Sequence, residues 1–427
     1  MTAFMGMRGT GDWVTDERPK NWREGILYLY PNGTAPLTAI MSKLGSQRVD
    51  DPEFNWWTKT LAQQGGAVTN VYTDVGLSVA YVSGGVSGDT LYVNLAEAVA
   101  DEFRAGHQVL LRDASDLTVD VNAKVTNVVK NGASSYLAVR LLEADDNSAS
   151  NNIANVDNVL IVGNINAEGA PMPDSVVYNP TKFYNYTQIF RTPLSITRTA
   201  RKTRLRTRPA YQEAKREALE YHSIEIEKAI IFGIATENTG SNGKPERTTG
   251  GLINAIRTNA SDNVDDYTQN TDYSGDTWLA SGEQWLDEQL EQIFRYGSME
   301  KMAFVGSGAL LGINRLAKST GQLNLTPMTT SYGLRVMEWI TPFGTIFMKT
   351  HPLFSFEATN RNAMLIIEPP MLKWRFIDDT HFIPDDGRHG RVRTDSTEEE
   401  YLTEAGLEWH HAEKMGFLSG IGSDNSL

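Results

Sequence analysis

The sequence predicts an α+β fold carrying a small inserted all-β module, and three observations predict it. From about Val82 to Val162, short strand-like runs follow one another with turn signals between them. Pro209 to Phe232 is one long helical pattern. From Ser281 to Ile377, helical and strand patterns alternate, with hairpin turns among the strands.

In chain order, residues 1–31 are polar with scattered aromatics and glycines and read as an irregular arm. The first residues lack a basic region followed by an apolar core, so no signal peptide is expected. Pro36 to Leu44 is a short amphipathic helix, with Leu37, Ile40, Met41 and Leu44 at helical spacing and Gly45 as its stop. Such a short helix does not stand alone, so something must hold it. Phe54 to Leu61 reads as extended, which points Trp56 and Trp57 to opposite sides, and Gly65-Gly66 reads as a break. The β-module follows, with strands at Leu91–Val93, Gln108–Leu111, Leu117–Val121, Lys124–Val129 and Tyr136–Leu142. Asn131-Gly132 is its hairpin signal, and 145–155 is a polar loop.

Lys182 to Ala200 is extended again. Pro209 suits the first turn of the long helix and Gly233 ends it. Tyr211, Ala214, Ala218, Tyr221 and Ile224 give this helix an apolar face, with Glu213, Arg216, Glu217, Glu220 and Glu227 on the others. At 1.5 Å per residue it is about 36 Å long, which suits a backbone element crossing a flat subunit. Residues 238–251 are a turn-rich loop and 259–282 an irregular polar stretch. Ser281-x-x-Gln284 is a capping box for a helix running to Tyr296, with Gly297 as stop. Then come strand 302–305, helix 309–318, strand 334–340, a Pro342/Gly344 turn, and strands 345–349, 363–367 and 372–377. Tyr401 to His411 reads as a last strand returning to the long helix.

Composition narrows the function. The chain has 427 residues, 40% of them apolar, enough for two or three compact units. It has no cysteine, so its stability rests on packing and assembly or a reducing compartment. No apolar run reaches the length needed to span a bilayer, so no membrane partner is expected. A net charge of −14 argues against tight wrapping of nucleic acid. The charge is uneven: Arg198, Arg201, Lys202, Arg204, Arg206 and Arg208 carry +6, which leaves −20 on the rest. Acidic counterparts stand at Glu398, Glu399 and Glu400. Opposite blocks far apart in one chain suit head-to-tail contacts between copies, and solvated surface stretches are the plainer reading. On a strand Arg204, Arg206 and Arg208 share one face, open to subunit contacts, to nucleic acid or to solvent.

Two motifs carry an enzyme reading. Gly306-Ser-Gly-Ala-Leu-Leu-Gly312 follows a strand and opens a helix, like a nucleotide-binding glycine loop with one extra residue. No acid stands where such a fold needs one, and the surrounding strands look antiparallel, so a tight turn capped by Ser307 competes with it. Asp378, Asp379, His381, Asp385, Asp386 and His389 could together hold a hard cation, although Pro384 and Gly387 mark a solvated turn. Gly240 to Pro245 lacks the hydroxyl of a phosphate loop. His410 and His411 are adjacent and would point to opposite faces. There is no G-x-S-x-G elbow. No catalytic residue, cofactor or metal is assigned from these motifs.

The order of parts resembles the major capsid proteins of tailed bacteriophages, of the podovirus-type subfamily. It runs through Thr34-x-Pro36-Leu37, Lys43-x-Gly45, Phe54-x-Trp56 and the β-insert. It continues with Gln188-Ile189-Phe190-Arg191, Leu194-Ser195-Ile196-Thr197, the long helix and Thr249-Gly250-Gly251-Leu252. The resemblance covers about Asn32 to Ser419; order and spacing are its specific part, and the insert is less typical. It implies the tailed-phage capsid fold: an N-terminal arm over 1–49, an extended loop over 50–81 and 163–206, and the inserted module over 82–162. It further implies a peripheral domain over 207–280 with a spine helix at 209–232, an axial domain over 281–390, and a return to the peripheral domain over 391–427. The implied protein self-assembles as hexamers and pentamers into an icosahedral head around double-stranded DNA, which it touches weakly and without sequence preference. Scaffold, portal and decoration proteins are its implied partners. It is made in the host bacterial cytoplasm and resides in the virion. On this reading Leu37, Trp56, Trp57, Phe190 and Arg191 contact neighbouring subunits, and Arg204, Arg206 and Arg208 form ion pairs between them. Arms and loops that bury their apolar residues on neighbours give the reading a physical basis.

Overall fold

A computed structural model describes residues 46–60, 64–116, 118–145, 152–169, 171–203, 210–320, 324–331, 334–385 and 395–427. The expected helix at 36–44 lies outside them. Two compact units result, one of Trp57–Thr181 and one of the remaining chain.

The first elements are β1 (Ser46–Arg48) and β2 (Glu53–Thr58). The inserted unit is built from β3 (Gly65–Tyr72), β4 (Thr90–Leu95), α1 (Glu97–Ala100), β5 (His107–Arg112), β6 (Asp120–Val129), β7 (Tyr136–Leu141) and β8 (Asn158–Asn164). Its six strands close into a barrel in the order β3-β4-β7-β6-β5-β8, every neighbour antiparallel. Alternation is strict on β5, where His107, Val109 and Leu111 face inward. Val71, Val93, Val125, Leu137, Val139 and Val159 fill the interior with them.

The compact unit is wider than the expected 82–162, because β3 completes the closure. Gly65 and Gly66 therefore sit inside a strand instead of breaking the chain. A side chain on Gly65 would meet the Val159 carbonyl at 2.5 Å, and one on Gly66 the Val99 methyl at 2.6 Å. Glycine is there because the neighbouring backbone and helix come too close for anything larger. The two strands expected over 117–129 are one strand, β6.

The other unit continues with β9 (Thr181–Tyr186), β10 (Gln188–Thr197), α2 (Arg198–Lys202), α3 (Ala210–Phe232), β11 (Thr236–Thr239), β12 (Pro245–Thr248), α4 (Leu252–Asn259) and β13 (Val264–Asp266). Next come α5 (Trp278–Phe294), β14 (Glu300–Val305), α6 (Ser307–Thr320), β15 (Asn324–Ser331), β16 (Leu334–Ile340), β17 (Thr345–Thr350) and α7 (Pro352–Phe356). The chain ends with β18 (Met364–Ile367), β19 (Leu372–Ile383), β20 (Ser396–Trp409) and β21 (Gly416–Ser419). One sheet has the order β1-β19-β20-β10, and a mixed sheet the order β13-β21-β18-β14-β17-β16-β15. β2 pairs with β9, and β11 with β12. The fold is α+β with an inserted all-β module, as expected. None of the described helices is long and apolar enough to cross a membrane.

Several boundaries moved for identifiable reasons. The expected loop at 238–251 is the β11–β12 hairpin, tied at its base by the Thr236 and Thr248 hydroxyls at 2.7 Å. Ser281 lies within α5 and does not cap it. That helix begins at Trp278, whose amide donates to the Asp424 carboxylate at 2.9 Å, while the Ser281 hydroxyl bonds the Tyr267 phenol at 2.8 Å. A distant carboxylate thus satisfies the helix start. Gly297, at φ +88, turns the chain after α5. The strands around Gly306 are mixed: β14 runs parallel to β17 and antiparallel to β18.

The spine-like helix α3 also faces differently than its apolar pattern implies. Tyr221 is 61% exposed, and Ala218, His222, Ile226, Glu227, Ile230 and Ile231 are buried. Two polar residues took inward positions because partners wait for them there.

Candidate functional site

A set of polar groups is buried beneath α3. His351 and Glu227 are both fully buried, with His351 Nε2 2.9 Å from the Glu227 carboxylate. The Leu353 amide donates to His351 Nδ1 at 3.1 Å, so the ring proton sits on Nε2 and points at Glu227. This bond ties α3 to the start of α7. Eight ångströms of helix rise earlier, roughly, His222 ties α3 to the first sheet. Its ring nitrogens bond the hydroxyls of Thr192 on β10, at 2.9 Å, and Thr403 on β20, at 2.7 Å. Thr403 donates onward to Thr380 on β19 at 2.8 Å. Burial pushes the His222 pKa down, against a weaker upward pull from Glu225. Hydroxyl partners suit a neutral ring.

A third group sits under the aromatic cluster. Glu408, 2% exposed, accepts from His410 at 2.6 Å and from Arg375. Burial raises its pKa, but the bonds and charges of His410 and Arg375 overcome that and bring it to about 2. The folded value lies below the ordinary 4.5, so between these limits the unfolded chain binds the extra proton. The stabilisation is complete above pH 4.5 and is lost as pH falls toward 2, by about 3 kcal/mol in all. A Glu408→Gln variant should show a flatter stability curve over that window in urea melts at stepped pH. Parallel curves for the two proteins would contradict this account.

The sequence-derived contact residues separate into distinct environments. Trp56 and Phe190 are each only 6% exposed and belong to the chain's own core. Trp56 stacks on Phe54 at 6.0 Å and meets Trp409 edge-on at 5.4 Å. Neither side chain offers area to a neighbour, which corrects the expectation for both. Trp57, on the opposite face of β2, is 62% exposed. Arg191 is exposed but holds Glu400 of its own chain through two bonds of 2.6 and 2.8 Å. Leu37, Arg204, Arg206 and Arg208 lie outside the described residues.

The described start of the basic block lies beside the strand that carries the acidic block. β10 pairs antiparallel with β20, setting Ser195 opposite Glu398 and Thr197 opposite Ser396. Arg198 then reaches Asp395 at 2.7 Å, and the Tyr211 phenol donates to Glu399 at 2.6 Å. Long-range pairing that periodicity cannot reveal made distant blocks into neighbours.

Among the described residues neither enzyme motif forms a site. The amides of Gly306, Gly308 and Ala309, which a phosphate would need, donate to the carbonyls of Ala363 and Arg361 at 3.0–3.1 Å. A side chain on Gly306 would meet the Arg361 carbonyl at 2.1 Å, so these glycines admit a chain segment. Ser307 is the first residue of α6, and its amide is taken by the Ser355 hydroxyl. Asp378, Asp379 and His381 lie on β19, while Asp386 and His389 fall outside the described residues. Among the described residues no group of three or more His, Asp or Glu could hold a metal. His222, Glu227, His351 and Glu408 were missed by sequence reasoning. Only their unusual place on apolar faces could have marked them.

A curated "Major capsid protein" of Pseudomonas phage PaMx41 is 24% identical over 380 residues, covering 88% of this chain and 83% of the relative. Among solved structures, the capsid of a native GTA particle aligns with TM-score 0.45 and 7% identity over 97% of both chains. A chain from Mycobacterium phage Bobi aligns with TM-score 0.44 and 7% identity over 98% of this chain and 95% of that one. The family model described as SU10 major capsid protein matches residues 6–422. That match spans nearly the whole sequence, and the protein belongs to the SU10 major capsid protein family.

Proposed function

We propose that this subunit closes its shell through exposed anchors on a self-sufficient body, and that the buried polar groups serve to stiffen that body. As a family member it is a phage major capsid protein: copies of it associate into the capsomers of the icosahedral head, and it is not an enzyme. The observation that carries the finer reading is the split between neighbouring tryptophans. Trp56 fills its own core, and Trp57 projects at 62% exposure. A large exposed indole is a natural interface anchor. Trp57 is therefore proposed to bury itself on a neighbour, and Leu37 is proposed as a further contact residue. Arg191 is half committed to Glu400, and its exposed edge is proposed to lie at the rim of the same contact, where an ion pair is worth little. Arg204, Arg206 and Arg208 are proposed as intersubunit ion-pair partners.

On this proposal residues 1–49 are the arm, 50–81 and 163–206 an extended loop, and 82–162 the main part of the inserted module. Residues 207–280 and 391–427 make the peripheral domain and 281–390 the axial domain, which gathers into hexamers and pentamers. The acidic balance of −14 fits weak, non-specific contact with enclosed double-stranded DNA. Scaffold, portal and decoration proteins would complete the head, and synthesis would take place in the bacterial cytoplasm. Negative-stain microscopy and light scattering of the purified protein, alone and co-expressed with a scaffold, test the assembly. Closed shells or capsomer rings are expected. A monomer under every salt and crowding condition, with and without scaffold, would overturn the proposal.

A further inference from the structure

Resting on the assembly reading above, we propose that α6 of one copy lies along α5 of the next, with Arg315 and Lys318 facing Glu283 and Asp287. Both helices carry a stripe of the same form, exposed on α6 and with half-buried carboxylates on α5. On α5 it runs Leu279, Glu283, Asp287; on α6 it runs Leu311, Arg315, Lys318. The leucines are 56% and 44% exposed. Each stripe places its first charge four residues after the leucine and its second one turn later. Laid parallel, leucine meets leucine and each carboxylate meets a cation.

The charges on the two stripes are among those with no ion pair in the described residues. Elsewhere on α5, Glu291 holds Arg295 at 2.7 Å and Glu288 accepts from Gln284 at 3.1 Å. Glu283, Asp287, Arg315 and Lys318 form no ion pair among the described residues, although the two helices touch where the Trp278 indole donates to the Gly312 carbonyl at 3.0 Å. Burial pushes the Asp287 carboxyl up, with no cation beside it to offset this. Beside Glu283 and Asp287 a cleft of about 780 Å³, walled by Ala280, Gln292 and Phe343, gives incoming side chains room. Two different surfaces in contact make a head-to-tail interface, which closes into rings as a capsomer requires. An α5–α5 contact would set acid against acid.

The test is charge exchange in the full-length protein. Glu283→Lys with Asp287→Lys, and separately Arg315→Glu with Lys318→Glu, should each lower the assembled fraction in sedimentation velocity by about tenfold or more. The variant carrying all four changes should assemble again. Parental assembly of either double variant, or a quadruple variant no better than the doubles, would overturn the proposal. Thermal melts check the folding of each protein. Should the lysine pair fail to fold, Glu283→Gln with Asp287→Asn replaces it: slowed assembly supports the contact and a parental rate overturns it. All variants are scored against an assembling parent. A parent that forms no capsomers would count against the assembly reading itself, not against this pairing.

Discussion

Replacing Glu227 by alanine is expected to destabilise the subunit by about 3–5 kcal/mol, an unsatisfied buried donor and a cavity acting together. Glu227 sits on α3 with no exposure, and its carboxylate accepts the His351 Nε2 proton at 2.9 Å. Around them lie Phe304 and Phe354, whose rings are 5.4 and 5.3 Å from the imidazole. Water has no place to replace the lost carboxylate, so the ring N–H is left without a partner in an apolar setting. Alanine also opens a void against a fully packed wall. Urea melts of the subunit held below its assembly concentration measure the effect. A Glu227→Leu, His351→Leu double variant should recover part of the loss, because replacing both partners by apolar groups is often close to neutral. A single variant within about 1 kcal/mol of the parent would show that the pair is not a structural pin.

The second large effect separates two adjacent residues. Trp56→Ala should destabilise the subunit by about 3–5 kcal/mol through loss of a buried aromatic. Its ring lies among Phe54, Phe183 and Trp409, within 5.4–6.3 Å of each. Trp57→Ala should change the melting curve little and should reduce assembly instead. The same two measurements, urea denaturation and sedimentation, are made on both variants. If Trp57→Ala assembles like the parent, Trp57 is not an anchor. If Trp56→Ala melts like the parent, the aromatic cluster does not hold the fold.

Much of this architecture was legible in advance. The long helix carries its own start and stop signals, Pro209 and Gly233, and the hairpin at Asn131-Gly132 is set by turn chemistry acting over a few residues. What escaped was of two kinds. β3 was missed because its glycines read as a break, when in fact the close approach of Val159 and Val99 demands them. His222 and Glu227 were set aside because polar residues default to the solvent face; only partners on β10, β20 and α7, far away in sequence, make their burial affordable.

The sequence by itself determined the long helix, the α+β class and the presence of an inserted β-module. These depend on periodicity, turn residues and composition, which act locally. Only the tertiary structure decided which of Trp56 and Trp57 is core, that Arg191 and Arg198 meet Glu400 and Asp395 of the same chain, and that the Gly306 loop is filled by the segment around Arg361. The two ion pairs depend on strand pairing between residues about two hundred positions apart. A side chain's face can be read from its neighbours in sequence, but its partner is set by the register of the sheet.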